Sequence, residues 1–278
     1  MQLEEQVELA KNGNKQALEK VIEGIQDKVF GLSLRMLYNP ADAEDAAQEI
    51  LIKTITSLNS FRGESLFTTW VYRIAANYLL RCRQTEKKYS STFVKYEESL
   101  ELEKCARWDD AELTSGNKIF YDEIRISCLM GMLQCLSREL RIAYLLVDIF
   151  EVRSCEGAKI LDVTPEVFRK RLSRARAKLK DFVLKNCSEA KPSSTCKCGY
   201  HTAAQIGTDR FEGNNMLFTR LNRKGVIEHD TAAMVDEMDE LNRVGLLFRN
   251  NPDAKAPDKY IQDIRKLINS GKYEYFKN

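Results

Sequence analysis

Five apolar side chains, Phe168, Leu172, Ala175, Leu179 and Phe182, recur at intervals of four and three residues. Such intervals fit a helix with one apolar stripe, because a strand would need alternation. Thr164 is placed to cap the start of that helix, Pro165 suits its first position, and Glu166 suits the positive end of its dipole. The other faces carry Arg169, Lys170, Arg171, Arg174, Arg176, Lys178 and Lys180, opposed within the segment 164–180 by Glu166 alone. The whole chain is nearly balanced, with 43 Lys and Arg against 41 Asp and Glu, so this excess is local. It reads either as a solvated basic face or as a surface for phosphate.

The residues before it add a second helix. Residues 138–150 carry Leu140, Ala143, Tyr144, Leu146 and Val147 at helical spacing, Ser154 is expected to cap a short helix "CEGAKIL", and "DVT" makes a tight turn into the basic helix. A short helix, a tight turn and a capped basic helix make a helix-turn-helix. The second helix of that unit enters the DNA major groove, where Arg and Lys serve base edges and phosphates.

The first block holds two further surfaces. In "LYNPADAEDAAQEILIKTITSLNSF", Asn39 is expected to cap a helix with Pro40 first, and Leu51, Ile55 and Leu58 form its apolar face. Asp45, Gln48 and Glu49 share a polar, acidic face, which is either ordinary surface or a dock for a basic partner. In "FRGESLFTTWVYRIAANYLLRCRQTEKK", Gly63 permits a loop and Thr68 or Thr69 is expected to cap a helix running to about residue 84. Aromatic and cationic residues interleave there, including Arg62, Phe67, Trp70, Arg73, Arg81 and Arg83. Unstacked bases need aromatic faces and positive charge, although each aromatic taken alone also fits a core.

At 278 residues the chain is expected to hold more than one domain. Helical periodicity dominates, there are 5 Pro, and β-type alternation is scarce, so the expected fold is all-α. Residues 1–88 read as a helical block, 89–117 as a polar, acidic linker, 118–185 as the helix-turn-helix domain, and 186–278 as a small, mainly helical extension. The N-terminus lacks the basic and apolar runs of a secretory signal, and no stretch reaches membrane-spanning length, so a cytoplasmic protein without membrane insertion is expected. The 8 Cys then read as reduced thiols. Cys128, Cys135 and Cys155 fall in apolar patterns as small core residues, and Cys82 and Cys105 have no partner spacing.

The extension opens with Cys187, Cys196, Cys198 and His201 within fifteen residues. Three thiols and an imidazole suit a tetrahedral zinc site or one for another thiophilic metal; a redox pair and inert thiols are the alternatives. Beyond them, 230–248 and 257–271 read as helices, the first with Met234, Met238 and Leu241 on one side, the second with Asp258 as cap and Gly271 at its end. With 2 His in the whole chain and no nucleophile–base pairing, hydrolytic catalysis is not expected, and no cofactor is required.

Three stretches together, "DAEDAAQE", "FRGESLFTTWVYRIAAN" and "LSRELRIAYLL…EGAKILDVTPEVFRKRLSRARAKL", resemble bacterial RNA polymerase sigma factors of the extracytoplasmic-function (ECF) type. The resemblance covers about residues 5–185 and implies a second and a fourth sigma domain joined by a flexible linker, with partners in core RNA polymerase (the β′ clamp helices and β flap) and promoter DNA. It implies that Asp45, Gln48 and Glu49 meet the clamp helices, that the loop matching 61–67 holds a flipped -10 base, and that the helix matching 68–84, with Asn77 and nearby arginines, engages the melted strand. The helix matching 164–180, with Thr164, Glu166, Arg169, Lys170, Arg171, Arg174 and Arg176, would read the -35 element. Lys170 and Phe168 depart from the small residues common in the family, so promoter preference does not carry over. Some members bear Cys-containing C-terminal extensions, and a separate anti-sigma protein is a further partner to expect. The alternative is a helix-turn-helix regulator with a metal- or redox-sensing C-terminal domain, which would have no need of a stacking surface over 61–84.

Overall fold

The computed structural model describes residues 3–82, 118–191, 193–194, 198, 240–249, 254–257 and 259–269. The expected linker at 89–117, Arg83, Cys105, Cys196, His201, Met234, Met238, Asp258 and Gly271 lie outside these residues. The described residues contain α-helices and short helical turns and no β-strand, as the periodicity predicts. The helices are α1 (Leu3–Lys11), α2 (Lys15–Leu37), α3 (Pro40–Thr56), α4 (Phe67–Arg81), α5 (Lys118–Met132), α6 (Arg138–Tyr144), α7 (Ser154–Ile160), α8 (Pro165–Asn186), α9 (Glu240–Arg249) and α10 (Lys259–Asn269).

The chain divides into two compact units. The first comprises Met1–Cys82, Val152–Phe168 and Asp253–Asn278. Here α1, α3 and α4 pack on α2, and α3 and α4 pack on each other. Val21, Ile25, Val29, Phe30, Ile50, Leu51, Val71, Ala75 and Leu79 make the core. The start of α3 follows its local sequence, since the Asn39 side chain accepts from the Ala41 and Asp42 amides at 2.9 and 3.3 Å, with Pro40 first. The start of α4 does not. The helix begins at Phe67, with Leu66 in the capping position, so neither Thr68 nor Thr69 is the cap. The Glu4 carboxylate from α1 instead accepts the Phe67 amide at 3.4 Å.

The helix-turn-helix is built on one tight turn. Helix α7 begins at Ser154 itself and Arg153 takes the capping position, one residue earlier than expected, with no side-chain bond. At its other end the Asp162 amide donates to the Lys159 carbonyl at 3.3 Å and the Val163 amide to the Ala158 carbonyl at 3.1 Å. Asp162 sits at φ 52. This is a Schellman turn, with Asp filling the left-handed position that glycine usually takes. Thr164 then caps α8 as expected, its hydroxyl accepting the Val167 amide at 3.3 Å. Helix α7 packs on α4 in the same unit.

The second unit comprises Arg83–Glu151 and Arg169–Pro252. A 3-10 turn, Leu133–Cys135, joins α5 to α6. Arg141 is buried there, donating to the Leu133 and Leu136 carbonyls at 3.0 and 2.9 Å, so one guanidinium ties the turn to α6. The expected helix 138–150 is α-helical to Tyr144 and then widens into a π turn, Leu145–Ile149, closed by the Phe150 amide on the Leu145 carbonyl at 2.9 Å. Tyr144, Leu145 and Leu146 are buried. From the extension, α9 packs on this turn, with Val244, Leu247 and Phe248 buried and the Phe248 ring edge-on to Tyr144 at 6.1 Å.

The stripe on α8 is as predicted through Leu179, but its next buried member is Val183, fully buried, while Phe182 is half-buried. An α-helix turns every 3.6 residues or so, so a strict four–three alternation drifts off the buried face.

Gly157 marks the tightest approach in the turn. A Cβ there would lie 2.4 Å from the buried Phe168 ring. Gly157→Ala therefore forces the ring or the helix to move. It should destabilise the fold by about 1–3 kcal/mol, and pairing it with Phe168→Leu should recover part of the loss. Thermal and urea unfolding of the single and double variants checks this.

Candidate nucleic-acid and polymerase interface

The basic helix presents its charge as the sequence predicts, with one exception. Arg169, Lys170, Arg174 and Lys178 are exposed on α8, together with Thr164 and Glu166 at its start, and Arg171 is half-buried. Arg176 is half-buried and engaged in a pair with a buried acid. Its Nε lies 3.0 Å from Asp148 Oδ2 and its Nη2 lies 3.0 Å from Asp148 Oδ1, a two-pronged pair with a carboxylate that is 6% exposed. Arg176 thus anchors the helix, and the cations open to a ligand are the exposed ones. Asp148 was not singled out in the sequence, although a lone acid inside "AYLLVDIF" is the kind of residue that must find a cation.

The second surface lies at α4 and the loop before it. Arg62, Gly63, Glu64, Ser65 and Leu66 are exposed, Gly63 has φ 72, and Leu66 is 60% exposed. Phe61, Phe67 and Trp70 form an aromatic cluster, with Phe67 stacked on Trp70 at 5.6 Å and edge-on to Phe61 at 5.2 Å. Phe67 is fully buried, so in this conformation it braces the loop and offers no open face for a base; Trp70 is half-buried. Lys11 holds the other side, donating to the Phe61 carbonyl at 2.6 Å with its ammonium over the Phe61 ring at 5.4 Å. Arg73, Asn77 and Arg81 project from the exposed side of α4 at intervals of four residues, one cationic and polar ridge. The helix and loop can grip a phosphate chain beside an open loop tip.

The acidic face is on α3. Asp45 and Glu49 are exposed and Gln48 is half-buried. Their charge reaches α4: the Tyr78 phenol is pushed up to about 12 by burial, then by Cys82, Glu49 and Asp45. Lys53 sits over the Tyr78 ring at 5.8 Å.

The cysteine cluster is described in part. Cys187 and Cys198 are buried, while Cys196 and His201 lie outside the described residues. Among the described residues there is no group of three or more His, Cys, Asp or Glu able to hold a metal ion. Burial pushes the Cys187 thiol up, and it pushes Cys135 up to about 11. Cys128 and Cys135 are half-buried, but Cys155 is exposed and is no core residue, because its position on the short α7 faces away from Phe168 and Ile160.

The family model described as Sigma-70 region 2 matches residues 21–88, and that described as Sigma-70, region 4 matches residues 126–179. The chain is 42% identical over 71 residues to the RNA polymerase sigma-H factor of Pseudomonas aeruginosa, covering 26% of this chain and 37% of that one. It is 34% identical over 90 residues to the ECF RNA polymerase sigma factor SigW of Bacillus subtilis, covering 32% and 48%. Against these two relatives the chain spans less than half of their length. Against the ECF RNA polymerase sigma-E factor of Haemophilus influenzae it is 30% identical over 185 residues, covering 64% of this chain and 93% of the relative.

Thiols react as thiolates, so the raised pKa of Cys135 leaves on the order of one part in a thousand ionised at pH 8. Alkylation at pH 8, followed by peptide mapping, should modify Cys155 well before Cys135 and Cys187. As pH rises toward 11, Cys135 should catch up.

Proposed function

The chain belongs to the ECF family of RNA polymerase sigma factors, and from that membership we propose that it directs core RNA polymerase to its promoters and assists strand opening, with no chemistry of its own. The exposed cations of α8 supply duplex contact at the upstream element. The ridge Arg73, Asn77 and Arg81 and the loop at 62–66 supply contact with the opened strand, and Asp45, Gln48 and Glu49 supply the dock for the β′ clamp helices. The carrying observation is that one chain presents three separate surfaces of fitting charge, two cationic on α4 and α8 and one acidic on α3. An activator that binds duplex alone needs only one of them.

The setting fits a cytoplasmic protein; no helix among the described residues is long and apolar enough to cross a membrane. The extension is read as a regulatory element, beside which a separate anti-sigma protein remains a compatible partner. A metal on Cys187, Cys196, Cys198 and His201 belongs to the same reading, since metal binding would couple the extension to thiol ionisation.

Two measurements test the reading. Asp45→Lys with Glu49→Lys should weaken binding to purified core enzyme, because complementary charge becomes repulsion. Equal retention of wild type and variant on immobilised core would remove α3 from the interface. Arg169→Ala and Arg174→Ala should each cost holoenzyme about 1–3 kcal/mol in promoter binding if they read bases, or lower the salt dependence if they meet phosphate. Promoter binding unaltered in affinity and salt response would remove α8.

A further inference from the structure

The acidic side of the first unit is already in contact with a basic helix, and that helix belongs to the same chain. Residues 254–269 lie within this unit and α10 packs on α2. Ala254, Ala256 and Tyr260 are buried, the last to 1% exposure. The Tyr260 ring stands edge-on to Phe30 at 6.2 Å, and its hydroxyl donates to the Glu44 carbonyl on α3 at 3.1 Å. The Ala256 amide donates to Asp27 Oδ1 at 2.9 Å. Around this anchor, Lys259 pairs with the Glu44 carboxylate, and the Arg265 fork takes both Glu19 oxygens at 3.0 Å each.

Glu44 immediately precedes Asp45 and shares a helix ridge with Gln48, four residues on. The Tyr260 phenol is raised by burial first, then by Glu44 and Asp45, so Asp45 lies within electrostatic reach of the seated helix. A partner that docks on Asp45, Gln48 and Glu49 is expected to be basic, and α10 already brings Lys259 onto Glu44 of α3 and Arg265 onto Glu19 of α2.

We propose that α10 is a self-supplied occupant of the polymerase-docking side of α2 and α3, held by Tyr260 and by the Lys259–Glu44 and Arg265–Glu19 pairs, and that it must leave before core RNA polymerase binds. This rests on the reading of α3 as the polymerase dock. The build of the contact suits a reversible cap. One aromatic anchor is fully buried, while Lys259 and Arg265 are 53% and 51% exposed, and pairs that open to solvent are individually weak. A larger basic partner can therefore displace the helix, and any signal that loosens the extension raises the fraction of chains able to bind.

The test uses the full chain. Wild type, Lys259→Glu with Arg265→Glu, and Tyr260→Ala are titrated against purified core enzyme, with hydrogen exchange of residues 259–269 followed in each. If about a tenth of wild-type chains are open, releasing α10 should tighten apparent binding about tenfold, with faster exchange in α10. Adding Glu19→Arg to Arg265→Glu should restore slow exchange and weaker binding. Equal or weaker binding by variants whose α10 has been released would overturn the cap while leaving the sigma reading in place. Binding by none of the proteins would overturn the dock itself and the cap with it.

Discussion

A carboxylate buried among leucines must be met by a cation, and Asp148 sets the second unit by that requirement. It lies in the π turn after α6 at 6% exposure, and Arg176 from α8 meets both of its oxygens. Because Arg176 is drawn inward beside the stripe Leu172, Ala175 and Leu179, the roll of α8 is fixed. Arg169, Lys170, Arg174 and Lys178 are then left outward. The same residue receives a second cation from the extension, since Arg249 of α9 donates to the Asp148 carbonyl at 3.0 Å, with its Nη2 3.9 Å from Oδ1. The exposed cationic surface of α8 and the seat of α9 therefore depend on one buried charge.

The extension meets each unit by the same chemistry. In one, Arg249 reaches Asp148 and Phe248 fills the space beside Tyr144. In the other, Lys259 and Arg265 reach Glu44 and Glu19, and Tyr260 fills the space beside Phe30. Each contact combines one buried aromatic with exposed cations on sigma acids. Aromatic burial supplies most of the affinity in such a contact, and the charges set register and partner. The contacts among the described residues run from basic extension to acidic domain.

What the sequence made legible was what it encodes locally. Asn39 and Thr164 cap their helices because the bonds they make close within three residues. The apolar stripe on α8 and the charges opposite it are one periodic pattern. The start misplaced at Thr68 or Thr69 has a non-local reason, since Glu4 from α1 supplies the bond at Phe67, while the start of the short α7 carries no side-chain cap for its sequence to announce. Arg176 looked like one more cation in a basic run because its partner lies 28 residues away. Tyr260 looked like an ordinary helix residue because its partner lies 216 residues away. Phe67 looked like a platform for a base, and only the packed ring of Trp70 shows it as a brace.

If this chain gives core RNA polymerase its choice of promoter, the transcripts made with it must differ from those made without it. The direct measurement is the sequencing of RNA 5′ ends made on genomic DNA by core enzyme alone and by core enzyme with this chain. The expected result is a new set of start sites, preceded by two shared sequence blocks at one fixed spacing. Start sites that are the same with and without the chain would contradict it.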